Sequence, residues 1–182
     1  MSKRPIKEIP QETIAQTRKA TDPQASVWVS ANAGSGKTHV LSERVIRLLL
    51  DGVEPSTIVC LTYTKAAASV MENRVFQRLA QWTSLSDEEL AEAISKLDGG
   101  APEAAKLVKA RRLFARALET PGGLKIQTIH AFCQMILGRF PLEANIAGRF
   151  DLIDDALMAQ FTADARRAVL QRAGMSTAGG LA

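Results

Sequence analysis

The chain has 182 residues, which at about 150 residues per domain allows one domain and part of a second. Hydrophobic residues make up 46% and charged residues 23%, a balance that excludes a disordered or fibrous chain. Its 23 basic and 19 acidic residues give a net charge of +4, compatible with a polyanionic partner but too small to require one.

Residues 1–25 are polar and contain three prolines, with a short helix expected over residues 12–19. The apolar run Val27-Trp28-Val29 then predicts a buried first strand over residues 26–30. After the turn Gly34-Ser35-Gly36, the residues Val40, Leu41, Val45, Leu48 and Leu49 fall on one face of a helix over 38–50, which Gly52 stops. A β-branched run at 57–61, opened by Pro55 and Ser56, predicts a second strand, with a helix over 65–82 behind it. Two successive strand-helix units imply a parallel, doubly wound α/β sheet.

Residues 83–120 differ in character and read as a helical insertion. Ser86 with Glu89 spells a capping box, Gly99-Gly100 a break, and Pro102 a first-turn proline. Lys106, Lys109, Arg111, Arg112 and Arg116 make a basic stretch, read as a solvated helix face. Beyond Pro121-Gly122-Gly123, a third strand is expected over 124–129 and a helix over 131–140, with Phe132, Met135, Ile136 and Phe140 assigned to the core. A short fourth strand over 150–153, an Ala-rich helix and an unstructured tail over 176–180 complete the pattern, with no internal repeat. The domain reading is an N-terminal segment 1–25, a lobe 26–82, an insertion 83–122, the lobe's continuation and the start of an inserted subdomain 123–160, and a helical then flexible tail 161–182.

Cys60 and Cys133 stand far apart, with no CxxC pair and no His cluster, so neither a disulfide framework nor a zinc site is expected. The basic residues 1–8 precede no apolar stretch of signal-peptide length, and a reducing cytoplasm is the expected compartment.

The segment Ala31-Asn32-Ala33-Gly34-Ser35-Gly36-Lys37-Thr38 matches G-x-x-x-x-G-K-[ST] except for Ala31 at the first glycine. The chemistry accounts for the residue types. Glycines let the backbone wind so that its N–H groups converge on phosphate oxygens, and the following helix offers its positive end to the same anion. Lys37 would reach the β- and γ-phosphates of ATP and the Thr38 hydroxyl would ligate Mg²⁺, which makes these two the candidate catalytic residues. The strand before and the amphipathic helix after are the context the motif needs. His39, in the first helical turn, is read as packed or solvated.

Segments outside this loop resemble one family. Thr62-Tyr63-Thr64-Lys65-Ala66-Ala67-Ala68-Ser69-Val70-Met71 is similar to the T-[FY]-T-x-x-A-A-x-x-M segment of UvrD/Rep-like superfamily 1 DNA helicases. Thr128-Ile129-His130-Ala131-Phe132-Cys133 resembles their T-[IF]-H-[SA]-F-C segment, and Gln16 lies where that family has its adenine-reading glutamine. Ala31 at the first glycine position is usual there. The stretches 118–127 and 139–144 narrow the resemblance to the AddA family of helicase-nuclease proteins of bacterial double-strand break repair, over about residues 10–160.

The resemblance implies a P-loop NTPase of RecA-like fold, a parallel sheet flanked by helices with a helical insertion, here an incomplete first lobe. It implies ATP and Mg²⁺ as cofactors, single-stranded DNA or DNA ends as substrate and, for a partner, an AddB-like nuclease chain. It makes Gln16 and residues 31–38 a nucleotide site, and Thr62, Thr64, Lys65, Thr128 and His130 DNA contacts. A glutamine amide can accept from adenine N6–H and donate to N7, although by its chemistry alone Gln16 is equally an ordinary polar residue. Hydroxyls and a cation at the carboxyl edge of a parallel sheet suit a DNA backbone. His130, taken without the family, would be a packed residue. Val70 stands where related chains often carry Glu, with no expected consequence for ATP.

An acidic Walker B strand and arginines from a second lobe, which such a motor needs, are not found. Asp154-Asp155 lacks the D-E-x-Q-D pattern, and Asp87-Glu88-Glu89 reads as a helix N-terminus. The chain is therefore expected to be the beginning of a longer protein, inactive by itself, with apolar surface exposed where further strands would pair. Two other classes compete. One is a small P-loop kinase that uses Arg111, Arg112 and Arg116 as a lid, and the other is a truncated module that binds without catalysis.

Overall fold

The computed structural model describes residues 10–32, 34–150 and 153–178, with side chains to 174. It divides into two compact units, Met1–Cys133 and Gln134–Ala182.

The first unit opens with α1, Gln11–Ala20, a helix with no buried residue. The phosphate-loop segment leads into α2, Lys37–Asp51, which ends at Gly52 in the left-handed region at φ 100°. The buried face of α2 is Ser42, Val45, Ile46, Leu49 and Leu50. Leu41, assigned to that face from its spacing, is half exposed, because the core lies on the Val45/Ile46/Leu49 side of the helix. A 3-10 turn at Pro55–Thr57 delivers β1, Val59–Thr62. Next come α3, Lys65–Ser84, α4, Asp87–Asp98, and α5, Ala104–Glu119. Then β2, Lys125–Thr128, pairs in parallel with β1 in the register Val59↔Lys125, Cys60↔Ile126, Leu61↔Gln127 and Thr62↔Thr128.

The core forms where α2, α3, α4 and α5 close over one face of this two-stranded sheet. Val75, Leu79 and Trp82 from α3 meet Leu90 and Ile94 from α4 and Ala110, Leu113 and Ala117 from α5, all essentially inaccessible to solvent. Phe76 and Phe114 add an edge-to-face pair at 6.3 Å. The helical segment 83–122 thus supplies its apolar side to the same core as α2 and α3. The capping box is present: the Ser86 hydroxyl accepts from the Glu89 N–H, and the Glu89 carboxylate accepts from the Ser86 N–H.

Four expectations are corrected. Residues 26–30 form no strand, since among the described residues only β1 and β2 pair. With no ladder to receive their backbone groups they remain irregular, and Trp28 is 93% exposed. Phe150 and Ile153 are also irregular, and Asp151 and Leu152, the middle of that predicted strand, lie outside the described residues. Pro102 precedes the N-cap Glu103 rather than sitting in the first turn of α5. In α6, Ile129–Arg139, no residue is buried. Met135, Ile136 and Phe140 are exposed and Phe132 is half-buried, so the assigned core residues have no core around them.

The second unit contains α7, Asp155–Ala178. Its N-terminus is capped by Asp154, whose carboxylate accepts from the Leu157 N–H at 2.8 Å, so the acidic pair is a helix start. The helix carries through Ser176 and Thr177 to Ala178, further than the tail composition suggests. Residues 179–182 lie outside the described ones. Among the described residues no helix is long and apolar enough to cross a membrane.

Candidate phosphate loop and sheet-edge site

Gly34 and Gly36 adopt φ of 79° and 91°, values that β-carbon-bearing residues rarely reach. Gly36 is also the N-cap of α2, and because it has no side chain, none caps that helix end. The first N–H groups of α2 therefore face outward with the positive end of the helix behind them. Between the two glycines, the Ser35 N–H and hydroxyl both donate to the Asn32 carbonyl, at 3.3 and 2.6 Å, and close the turn. Lys37 folds its ammonium back over the loop, donating to the carbonyls of Ala31 and of Asn32, the latter at 2.7 Å. A cation held over exposed amides at a helix N-terminus is an anion cradle. Thr38 is half-buried one residue later, and Ala33 lies outside the described residues.

Among the described residues no group of three or more His, Cys, Asp or Glu side chains converges to hold a metal. That donor set fits a Mg²⁺ held chiefly by phosphate oxygens and water, to which Thr38 would add one hydroxyl.

The second cluster is built by the sheet. Parallel register puts Thr62 beside Thr128 at the carboxyl edge, and each strand runs directly into a helix. The Thr64 hydroxyl caps α3 by accepting from the Ala67 N–H at 3.1 Å, and the Thr128 hydroxyl accepts from the Ala131 N–H at 3.2 Å at the start of α6. Thr62 donates to the Thr64 carbonyl at 3.0 Å. Thr64, Lys65 and His130 are exposed, whereas Thr128 is buried. Burial pushes the Cys60 thiol above its usual range, so at neutral pH it brings no negative charge to this strand. The buried Gln127 Nε2, adjacent to Thr128, has no protein partner among the described residues.

Gln16 does not join the loop's hydrogen bonds. It is exposed, and its amide donates to Glu12 on its own helix at 3.2 Å. What fixes α1 is a pair of α2 residues that no motif singles out. Arg44 donates to the carbonyls of Ala20, Asp22 and Ala25 at 3.2, 2.7 and 2.6 Å. Arg47 donates to the Arg18 carbonyl and the Thr21 hydroxyl at 2.9 and 2.8 Å. The only signal for them in the sequence is two arginines three apart on α2, which reads as a solvated face.

His39 pairs with Glu43 at 3.3 Å and is otherwise exposed. In the basic stretch of α5, Arg116 is engaged with Glu54 and Lys106 with Asp98. Arg111 donates to Asp87 at 2.6 Å and to the Leu85 carbonyl at 2.8 Å, so the stretch is more structural than a plain solvated face.

The sequence profile of the UvrD/REP helicase N-terminal domain matches residues 13–176. Relatives named as ATP-dependent helicase/nuclease subunits of the AddA type are 31% identical in Lactobacillus acidophilus, over 83% of this chain and 11% of that protein, and 32% identical in Enterococcus faecalis, over 80% and 10%. A third, from Limosilactobacillus fermentum, is 34% identical over 74% of this chain and 9% of that protein. The chain spans about a tenth of the length of these curated relatives. With a matching profile over nearly all its length, and the family's phosphate loop and strand-end segments folded as described, the chain belongs to the UvrD/REP helicase N-terminal domain family.

Proposed function

We propose that the chain is the ATP- and single-stranded-DNA-binding N-terminal portion of an ATP-dependent DNA helicase or translocase of recombinational double-strand break repair. The observation that carries this reading is the uncapped helix end at Gly36 with Lys37 folded over it, in the same unit as a sheet edge bearing Thr62, Thr64, Lys65 and His130. The family and the names of the relatives supply the reaction class.

In this reading ATP contributes a phosphoanhydride bond whose cleavage drives movement along DNA. Backbone amides of residues 34–38 bind its phosphates, Lys37 leaves its loop carbonyls for the β- and γ-phosphate oxygens, and Thr38 turns its hydroxyl to Mg²⁺. Gln16 reads the adenine edge. Thr62, Thr64, Lys65, Thr128 and His130 hold the DNA backbone, with Thr128 contributing through the turn it caps. The lobe, residues 26–82 and 123–160, is RecA-like in this reading, residues 83–122 being its helical insertion. An AddB-like nuclease chain is the partner and the cytoplasm the compartment.

The kinase reading is weakened by Arg111 and Arg116, which are committed to Asp87 and Glu54 and so are not free to close over phosphates. The test is ATP turnover by the protein isolated from its own cells, with and without single-stranded DNA. Turnover is expected only with DNA, and Lys37→Ala abolishes it. A full rate without DNA, or phosphoryl transfer to a small acceptor, overturns the proposal. The 182 residues alone are expected to bind nucleotide weakly and to turn over none.

A further inference from the structure

Five hydrogen bonds from two side chains tie the end of α1 and the turn after it to α2. Arg44 reaches three carbonyls, of Ala20, Asp22 and Ala25, and Arg47 reaches the Arg18 carbonyl and the Thr21 hydroxyl. These carbonyls include the unpaired ones that close a helix, where a guanidinium both satisfies hydrogen bonds and meets the negative end of the dipole. Thr21 is 1% exposed, so this is an interior joint and not a surface contact. Asp98 at the end of α4 holds Arg47 from the other side, Nε to Oδ1 at 3.1 Å, and also accepts from Lys106 of α5. The side chains of Arg47 and Asp98 are 12% and 18% exposed, which leaves the pair little screened by water.

The bracket spans two parts of one candidate site. Arg44 and Arg47 stand two turns or so along the helix that the phosphate loop opens, and Gln16 lies half a turn before the Arg18 carbonyl that Arg47 holds. α1 has no buried residue and a proline N-cap without side-chain bonds, so little else orients it. We infer that Arg44, Arg47 and Asp98 are positioning residues that set nucleotide-base selectivity, by holding the glutamine helix at a fixed place relative to the phosphate loop. This rests on Gln16 as the adenine reader. A hydrogen bond to a base edge is directional, so a helix free to shift by an ångström loses the discrimination while the phosphate contacts, made by a separate loop, persist.

The experiment measures affinity for ATP, GTP and tripolyphosphate, by competition with a fluorescent nucleotide, on the protein isolated from its own cells and on variants expressed in its place. Gln16→Ala is expected to reduce the preference for ATP over GTP by about tenfold, the scale of one lost paired base contact. Arg47→Met, Arg44→Met and the shape-conserving Asp98→Asn are expected to reduce it by a similar factor, leaving tripolyphosphate affinity within about twofold. Combining Gln16→Ala with Arg47→Met should add nothing further, because both remove the same contact. Wild-type selectivity in the arginine and Asp98 variants, with Gln16→Ala selectivity lost, overturns the inference and spares the adenine reading. Equal losses for all three ligands mean a merely structural bracket and also overturn it. Unchanged selectivity in Gln16→Ala overturns both. Should Arg44→Met fail to fold, Asp98→Asn decides.

Discussion

Gly36 joins conformation to chemistry at a single residue. An added β-carbon would meet no atom within 4 Å, so what excludes other residues is φ of 91°, not crowding. Gly36→Ala should therefore cost about 1–2 kcal/mol in backbone strain, relieved by moving the loop. Gly36→Asn, which tolerates the left-handed region, should cost less. The check is nucleotide affinity beside the thermal midpoint, with affinity expected to fall further for Ala than for Asn. Equal effects of the two would place the requirement in space and not in φ. The residue types of this loop are legible from sequence because each is demanded by local geometry. Arg44 and Arg47 are not, because the carbonyls they hold lie between 19 and 29 residues away in the chain.

At the scale of elements, helix ends are the readable features. The Ser86/Glu89 box is realised because both partners lie within one turn. Ser86→Ala is expected to lower stability by about 1 kcal/mol, seen in the urea midpoint with an unchanged slope. The other end of the preceding helix is closed from afar. Arg111 of α5 holds the Leu85 carbonyl and Asp87, joining the end of α3 to the start of α4. Arg111→Met retains the aliphatic stem and removes these bonds, so it should cost more than Ser86→Ala, about 1–3 kcal/mol, the range for hydrogen bonds to a charged group. A loss equal to that of Arg112→Met would contradict this assignment. Strand assignments divide along the same line. Residues 59–62 and 125–128 are strands because each finds the other, while the equally apolar 26–30 finds no ladder.

Across the whole molecule, burial is unevenly distributed. One face of the β1/β2 pair lies under the helices, with Ile58 and Ile126 buried, and the other leaves Val59 and Leu61 about 45% exposed. Parallel sheets are ordinarily covered on both faces. Trp28, Tyr63 and Leu142 add large exposed apolar side chains. Trp28→Ser with Leu61→Thr should reduce concentration-dependent association by light scattering and shift the thermal midpoint by less than Leu113→Ala does. The latter opens a cavity in the core at about 2–5 kcal/mol. A collapse of the midpoint in the surface variant would show that these side chains are covered.

Local sequence was enough to specify the phosphate loop, the two helices that follow strands β1 and β2, the capping box, and the strand-end threonines and histidine that mark the family. All depend on contacts within a few residues or on a short motif with its own geometry. That residues 26–30 stay out of the sheet, and that α6 buries none of its apolar residues, emerges only once the chain is folded. The same holds for Lys106, Arg111 and Arg116, which serve packing, and for the two arginines of α2 that hold the glutamine helix. Whether an apolar or charged side chain is satisfied depends on what stands opposite it, and distant parts of the chain supply that neighbour.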